Sequence, residues 1–186
     1  MSLDGTVERG PVLLALARGS LVEALHLGRC PELREPWLEE PGACFVTLHR
    51  SGALRGCVGS IEAHRPLRDD VRANARAAAF SDTRFAPVTA DELPQLDIEV
   101  SLLSAPEPLP VTSEADALRL LRPGQDGVVL EWGHHRATFL PQVWEQLPDP
   151  RDFLAQLRRK AGLPQGFWDP EVRLSRYQVE KWEEGE

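Results

Sequence analysis

Leu54-Arg55-Gly56-Cys57-Val58-Gly59, LRGCVG, places one thiol between two glycines and next but one to an arginine. Glycine inside a strand weakens it and marks a bulge, or a close approach of backbone or ligand. The run reads as a strand. Side chains alternate faces along a strand, so Leu54 and Val58 share one face and Arg55 and Cys57 the other. An arginine near a thiol favours the thiolate, the nucleophilic form. On this reading Gly56 and Gly59 leave open space beside the sulfur. The alternative is a small buried cysteine in a glycine-kinked strand, with Arg55 solvated at its rim, because free cysteine is among the most buried residue types.

The flanking segments place this strand. Ala43 to Leu48 is an apolar strand, and Arg50-Ser51-Gly52 reads as a hairpin turn between the two. Cys44 then falls in the core. After the connection IEAHRP (61–66), Leu67 to Ala79 is the clearest helix. Asp69 and Asp70 lie in its first turn, where negative charge suits the helix dipole. Leu67, Val71, Ala75 and Ala78 form its apolar stripe, and Ala77, Ala78 and Ala79 permit close packing on a sheet. Asn74 lies within the stripe and needs hydrogen-bond partners if buried. A nearby backbone loop supplies them, or the side chain reaches the Cys57 region.

Phe80 to Pro94 is a long connection, a length that often carries function. Phe80 and Phe85 anchor it, and Arg84 either pairs with Asp82 or reaches an anion. Leu96 to Leu103 alternates, with Leu96, Ile98, Val100 and Leu102 on one side and Asp97, Glu99 and Ser101 on the other. The polar side is solvent-facing, or Glu99 sits opposite Cys57 in a shared cleft.

Elsewhere, Pro11 to Leu27 reads as a helix stopped at Gly28, with His26 at its end, and Trp37 pins the following loop. The prolines of Ala105 to Pro110 make a rigid crossover. A short helix starts at Thr112 or Ser113. Gly127 to Glu131 and Arg136 to Leu140 form a hairpin around Trp132-Gly133-His134-His135. Adjacent strand residues face opposite ways, so the two histidines chelate one metal poorly and read as a turn feature. Pro141 to Gln146 starts a short helix anchored by Trp144. Arg151 to Ala161 is a helix capped by Gly162, with Arg158, Arg159 and Lys160 as a solvated basic end. Leu174 to Trp182 reads as one last strand.

Composition narrows the function. A formal charge of -8, from 21 basic and 29 acidic side chains, argues against non-specific nucleic-acid or anionic-membrane binding. No apolar run approaches the ~20 residues that span a bilayer, and the first residues lack a signal pattern. The expectation is a soluble, cytoplasmic protein. Cys30, Cys44 and Cys57 are an odd set without a CxxC pair, so neither a disulfide framework nor a zinc ribbon is expected. No GxxxxGKS, GxGxxG, GxSxG or HExxH run occurs. No metal and no cofactor are expected. What remains is a constellation of Arg55, Cys57, Asn74 and Glu99, with His64 or Arg84 within reach.

LRGCVG resembles the LRGCIG signature of the AMMECR domain family, whose prokaryotic members are called AmmeMemoRadiSam system protein A. The resemblance extends through PLRDDVRANARAAAFSDTRF (66–85), ELPQLDIEVSLLS (92–104), PGQDGVVL (123–130), FLPQVWEQLP (139–148) and FLAQLRRKAGLP (153–164). Val58 stands for isoleucine, and Thr83 stands where such proteins read DPRF. The resemblance implies an α+β fold with a barrel-like, mostly antiparallel sheet, flanking helices and two unequal lobes. It implies a single domain over 1–186 with its core at about 10–182, and a cleft between lobes that holds the signature. Arg55, Gly56, Cys57 and Gly59 match the signature, and Asn74, Arg84, Phe85 and Glu99 match other family positions. The implied partners are a radical-SAM protein and a Memo-family protein.

Two functions are compatible with these residues. In the first, Cys57 is a catalytic or group-accepting thiol, Arg55 holds the thiolate or an anionic substrate, and Glu99 orients a partner or moves a proton. In the second, the chain is a non-catalytic partner whose cleft binds a peptide or small molecule at Arg55, Gly56, Gly59, Asn74 and Arg84, and Cys57 is structural.

Overall fold

The computed structural model describes residues 8–185. The chain divides into two compact units, one running to Leu103 and completed by Glu180–Glu186, the other Ser104–Val179.

The first unit is built on the hairpin. Strands β1 (Ala43–Arg50) and β2 (Ala53–Gly59) are joined by Ser51 and Gly52, at φ 52° and 77°. Two successive positive φ values make the primed turn whose twist matches antiparallel strands. β1 also pairs along its length with β3 (Leu96–Leu103), whose boundaries match those read from the sequence. The sheet order is β2, β1, β3 and then a last strand, Val179–Glu183.

Helices α1 (Arg9–Ala24) and α2 (Leu67–Phe80) pack against each other and the sheet. Cys44, Val46 and Leu48 of β1 and Ile98, Val100 and Leu102 of β3 join Leu13, Leu16 and Leu21 of α1 and Val71, Ala75 and Ala78 of α2 in one core. Each fully buried Leu or Val contributes about 1.5–3 kcal/mol of transfer free energy. α1 ends earlier than expected. His26 takes a left-handed φ of 59°, and the His26 and Leu27 amides donate to the Glu23 and Val22 carbonyls. That is a Schellman stop, and it leaves Leu27 54% exposed.

The second unit holds β4 (Glu107–Pro108), α3 (Glu114–Leu120), β5 (Gly127–Trp132), β6 (His135–Phe139), α4 (Pro150–Lys160) and β7 (Arg173–Tyr177). The strand order is β4-β7-β5-β6. Leu130, Leu174, Phe153, Leu154 and Leu157 form its core. Trp144 stacks on Phe153 with centroids 3.7 Å apart and donates its indole N–H to the Asp126 carbonyl at 2.7 Å. Ser113 and Asp149 cap α3 and α4 through their side chains, and Gly162 follows α4 at φ 82°.

The fold is α+β with antiparallel sheets, and those sheets are two open four-stranded ones, not a closed barrel. Three local readings change. The expected strand over 174–182 is two strands: β7 pairs with β5, and β8 (Val179–Glu183) belongs to the other sheet. Arg158 is not solvated. It is 3% exposed, pairs with Glu114 at 3.2 Å and donates to the Phe167 carbonyl. The histidine pair sits at the turn as read, but it does not splay: the His134 ring sits 4.2 Å from that of His135, which also stacks on Trp132. Among the described residues, no helix is long and apolar enough to cross a membrane.

Candidate functional site

The register of the hairpin decides where the thiol points. From the turn, Arg50 faces Ala53 and His49 faces Leu54. Continued without interruption, that pairing would set Cys57 opposite Val46, a core residue. Instead the register shifts between Leu48 and His49, and Leu48 faces Gly56 while Thr47 faces Cys57. Arg55 is the extra residue of a β-bulge. A one-residue shift moves side chains to the opposite face of a sheet. The bulge therefore carries Cys57 off the helix-covered face and onto the outer one.

On that face Cys57 heads a polar row. Thr47 of β1 donates its hydroxyl to the Cys57 sulfur at 3.3 Å. Thr47 in turn faces Glu99 of β3. Glu99 accepts from the Ser101 hydroxyl at 3.3 Å and lies 3.6 Å from the Lys181 ammonium of β8. Strands lie about 4.8 Å apart, so Glu99 and Cys57 share a row about 10 Å long and do not touch. A direct proton transfer between them has no path without a bridging group. His49 occupies the next row, with Nδ1 3.5 Å from Glu183.

The loop after α2 grips the same strand. Asp82 Oδ2 accepts the Cys57 backbone N–H at 3.0 Å and a bond from Arg84 at 2.7 Å. Asp82 Oδ1 accepts from the Arg84 amide and Nε. The Arg84 guanidinium and the Cys57 amide together hold the Asp82 carboxyl well below the usual carboxylate range. Asp82 is 7% exposed and Arg84 56%. Arg84 also lies over the Phe85 ring, at 5.5 Å.

Arg55 is committed elsewhere. It makes a two-bond ion pair with Glu92, at 3.1 and 3.2 Å, and only 14% of its side chain is exposed. Arg50 joins the same carboxylate at 3.1 Å, and the Thr89 amide donates to it at 2.9 Å. The Arg55 guanidinium, followed by the Thr89 amide, pulls the Glu92 carboxyl down to about 2. An unfolded glutamate titrates near ~4.3. A carboxyl depressed in the fold contributes stability that is present above the unfolded value and lost as pH falls towards the folded one. Glu92→Gln is expected to cost about 1–2 kcal/mol at pH 7. It is also expected to flatten the loss of stability between about pH 4.5 and 2, read by urea unfolding across that range.

The glycines are filled, not open. A Cβ on Gly56 would lie 2.1 Å from the Ala78 carbonyl oxygen of α2, and one on Gly59 would lie 2.2 Å from the Phe45 ring. Gly56 admits the helix and Gly59 admits an aromatic side chain, so neither leaves room beside the sulfur. Asn74 does not reach Cys57. It is buried on the core-facing side of α2 and donates to the Cys44 carbonyl and to Asp70, both at 3.0 Å. His64 is exposed, with its ring 2.9 Å from the Glu62 carbonyl. Among the described residues no cluster of His, Cys, Asp or Glu could hold a metal ion. A groove of about 830 Å³ in the second unit, lined by Leu109, Trp132, Glu171 and Arg173 among others, includes none of the candidate site residues named from the sequence.

The AMMECR1 family model matches residues 14–182, which is nearly the whole described chain. The chain belongs to the AMMECR1 family. A protein of Methanothermobacter thermautotrophicus is 41% identical over 184 residues, covering 95% of both chains. One of Thermococcus gammatolerans is 39% identical over 189 residues, covering 95% of this chain and 91% of the relative. The crystal structure of an uncharacterized protein of Pyrococcus horikoshii aligns with a TM-score of 0.75 at 35% identity, over 95% of this chain and 91% of that one.

Within this AMMECR1-family chain the signature divides by task. Gly56 and Gly59 serve packing, and Arg55 forms the bulge and ties it to Glu92. Cys57 is the one member of the signature with a thiol side chain, half-buried on the outer face. Thr47, which touches Cys57, escaped the sequence reading, and Asp82 was read as a partner of Arg84, which it is, but not as a partner of Cys57. The bulge changes the hairpin register, and only the true register makes Thr47 its neighbour. The glycine in the strand was the available signal for that bulge.

Proposed function

We propose that the outer face of the β2-β1-β3-β8 sheet is a binding site in which Cys57 is a reactive thiol. The observation that carries this reading is the bulge that turns Cys57 away from the core, with the Thr47 hydroxyl donating to its sulfur at 3.3 Å. A hydroxyl donor stabilises the anionic form of its acceptor. No imidazole touches the sulfur among the described residues, which favours a thiol that accepts a group over a Cys–His hydrolytic pair. Glu99 and Lys181, further along the row, would hold the charged end of a small molecule or peptide. Arg84, more than half exposed and joined to the Cys57 amide through Asp82, would meet an anionic portion of the same ligand.

The resemblance to AmmeMemoRadiSam proteins extends the proposal to partners: the domain would work with a radical-SAM protein and a Memo-family protein. The cysteines Cys30, Cys44 and Cys57 are free, which suits a reducing cytoplasm. The second reading, a non-catalytic partner protein, is supported by the separation of Glu99 from Cys57 across Thr47.

The test is adduct formation. Native protein is exposed to a thioester, an aldehyde and an acrylamide, and intact mass and peptide mapping locate any addition. An adduct on Cys57 that is lost in Cys57→Ser supports the reactive thiol. Adducts confined to Cys30, or none at all before unfolding, contradict it and favour the non-catalytic reading.

A further inference from the structure

β2 is an edge strand of its sheet, so its outward amides have no neighbouring strand. At Cys57 that role falls to a side chain. Asp82 Oδ2 accepts the Cys57 N–H at 3.0 Å, and the same oxygen accepts from Arg84 Nη2 at 2.7 Å. One carboxylate oxygen thus joins the backbone of the thiol residue to a guanidinium. The Arg84 amide and Nε bind the other oxygen, which fixes the orientation of the pair. Arg84 stays half-exposed and rests near the Phe85 ring.

We propose that Asp82 and Arg84 are positioning residues for Cys57: Asp82 clamps its strand, and Arg84, held by Asp82, supplies the positive charge beside the thiol. This rests on the reading of Cys57 as a reactive thiol. It transfers to Arg84 the role that sequence spacing gave Arg55, because the carboxylate that holds Arg84 also holds the Cys57 amide, whereas Arg55 is tied to Glu92. The other groups around Cys57 are accounted for. From β1 comes the neutral Thr47 hydroxyl and, one row on, His49 beside Glu183. From β3 and β8 come Glu99 and Lys181, paired with each other two and three strands away. From α2, on the opposite face, comes the Ala78 backbone against Gly56. Raised proton affinity at Arg84, caused first by Asp82 and to a lesser degree by Cys57, is consistent with this geometry.

Asp82 and Arg84 act with opposite sign. An opposite charge within ~4–6 Å favours ionisation and a like charge opposes it. Arg84→Gln leaves Asp82 unbalanced and disfavours the thiolate. Asp82→Asn keeps an oxygen for the Cys57 amide, removes the negative charge and releases Arg84.

The experiment measures the rate of iodoacetamide alkylation at Cys57 by peptide mapping, from pH 6 to 10, in the full chain. At pH 7, Arg84→Gln is expected to slow alkylation about three- to tenfold and Asp82→Asn to speed it by a similar factor. Arg84→Lys is expected to restore most of the rate. At pH 10, above the ~8.5 of an ordinary free thiol, the rates should converge, which a change of packing alone would not produce. Equal rates in all variants at pH 7, with Cys57 labelled in the wild type, overturn the assignment of the pair and leave the thiol reading standing. Rate differences that persist unchanged to pH 10 overturn it as well. No labelling of Cys57 in the folded wild type overturns both.

Discussion

Gly56→Ala is expected to destabilise the protein by about 2–4 kcal/mol, because overpacking at a rigid contact forces backbone to move. The added methyl would lie 2.1 Å from the Ala78 carbonyl oxygen, a backbone atom in the last turns of α2. A flexible side chain could swing aside, but a helix carbonyl cannot. Either α2 lifts off the sheet or β2 is pushed from β1. Gly59→Ala provides the comparison. Its methyl would meet the Phe45 side chain, which can rotate, so the cost should be smaller. Urea unfolding of both variants checks this, and a Gly56→Ala protein as stable as wild type would contradict the packing described for the signature.

Asp70→Ala is expected to cost about 3–5 kcal/mol, the range for removing one partner of a buried charged network. Asp70 is fully buried in the first turn of α2. It accepts from the Cys44 amide at 2.9 Å, the Ser60 hydroxyl at 2.6 Å, Arg65 Nε at 2.8 Å and Asn74 Nδ2 at 3.0 Å. Truncation strands these donors where water is scarce, and an unpaired buried donor retains its desolvation cost. Asp70→Asn should lie between, since the amide restores one acceptor and turns an unwanted donor towards Arg65 or Asn74. Equilibrium unfolding reads both changes. The network ties the start of α2 to β1 and to the residue that follows β2, so it holds the sheet from the face opposite Cys57.

Much of the first unit was legible because period and burial agreed. The stripe Leu67, Val71, Ala75 and Ala78 is buried as its spacing predicts, and Leu96, Ile98, Val100 and Leu102 alternate inward. The Ser51-Gly52 turn was legible because few residues tolerate positive φ. The face of Cys57 was left open by the spacing of LRGCVG, and the expected common face of Leu54 and Val58 is broken: Leu54 pairs with the outer-face His49 and Val58 with the core residue Val46. Uninterrupted pairing from the turn would have put Cys57 over Val46, and the bulge at Arg55 reverses it. The local pattern carries no direct count of the partner strand, so register was hidden.

The Arg84–Asp82 pair was legible because it is local; partners distant in sequence were hidden. Arg55 and Glu92, or Cys57 and Asp82, are far apart in sequence and meet only through the fold. Arg158 looked like part of a solvated cluster because its neighbours Arg159 and Lys160 are exposed; its place on the buried face of α4 depends on Glu114 and Phe167. The last strand looked continuous because each half alternates, and the change of sheet near Gln178 has no local sequence mark.

The central claim is that the bulged hairpin presents Cys57, and not Cys44, to ligands. Cys44 is an internal control: it is fully buried, and burial followed by the nearby Asp70 charge pushes its ionisation far up. The deciding measurement is iodoacetamide labelling of the native protein at neutral pH, mapped by peptide and repeated in urea. The expected result is that Cys57 labels first in the native state, ahead of Cys30, while Cys44 labels only on unfolding. A native protein in which Cys57 is as protected as Cys44, and both label together in urea, would return the thiol to the core and contradict the account.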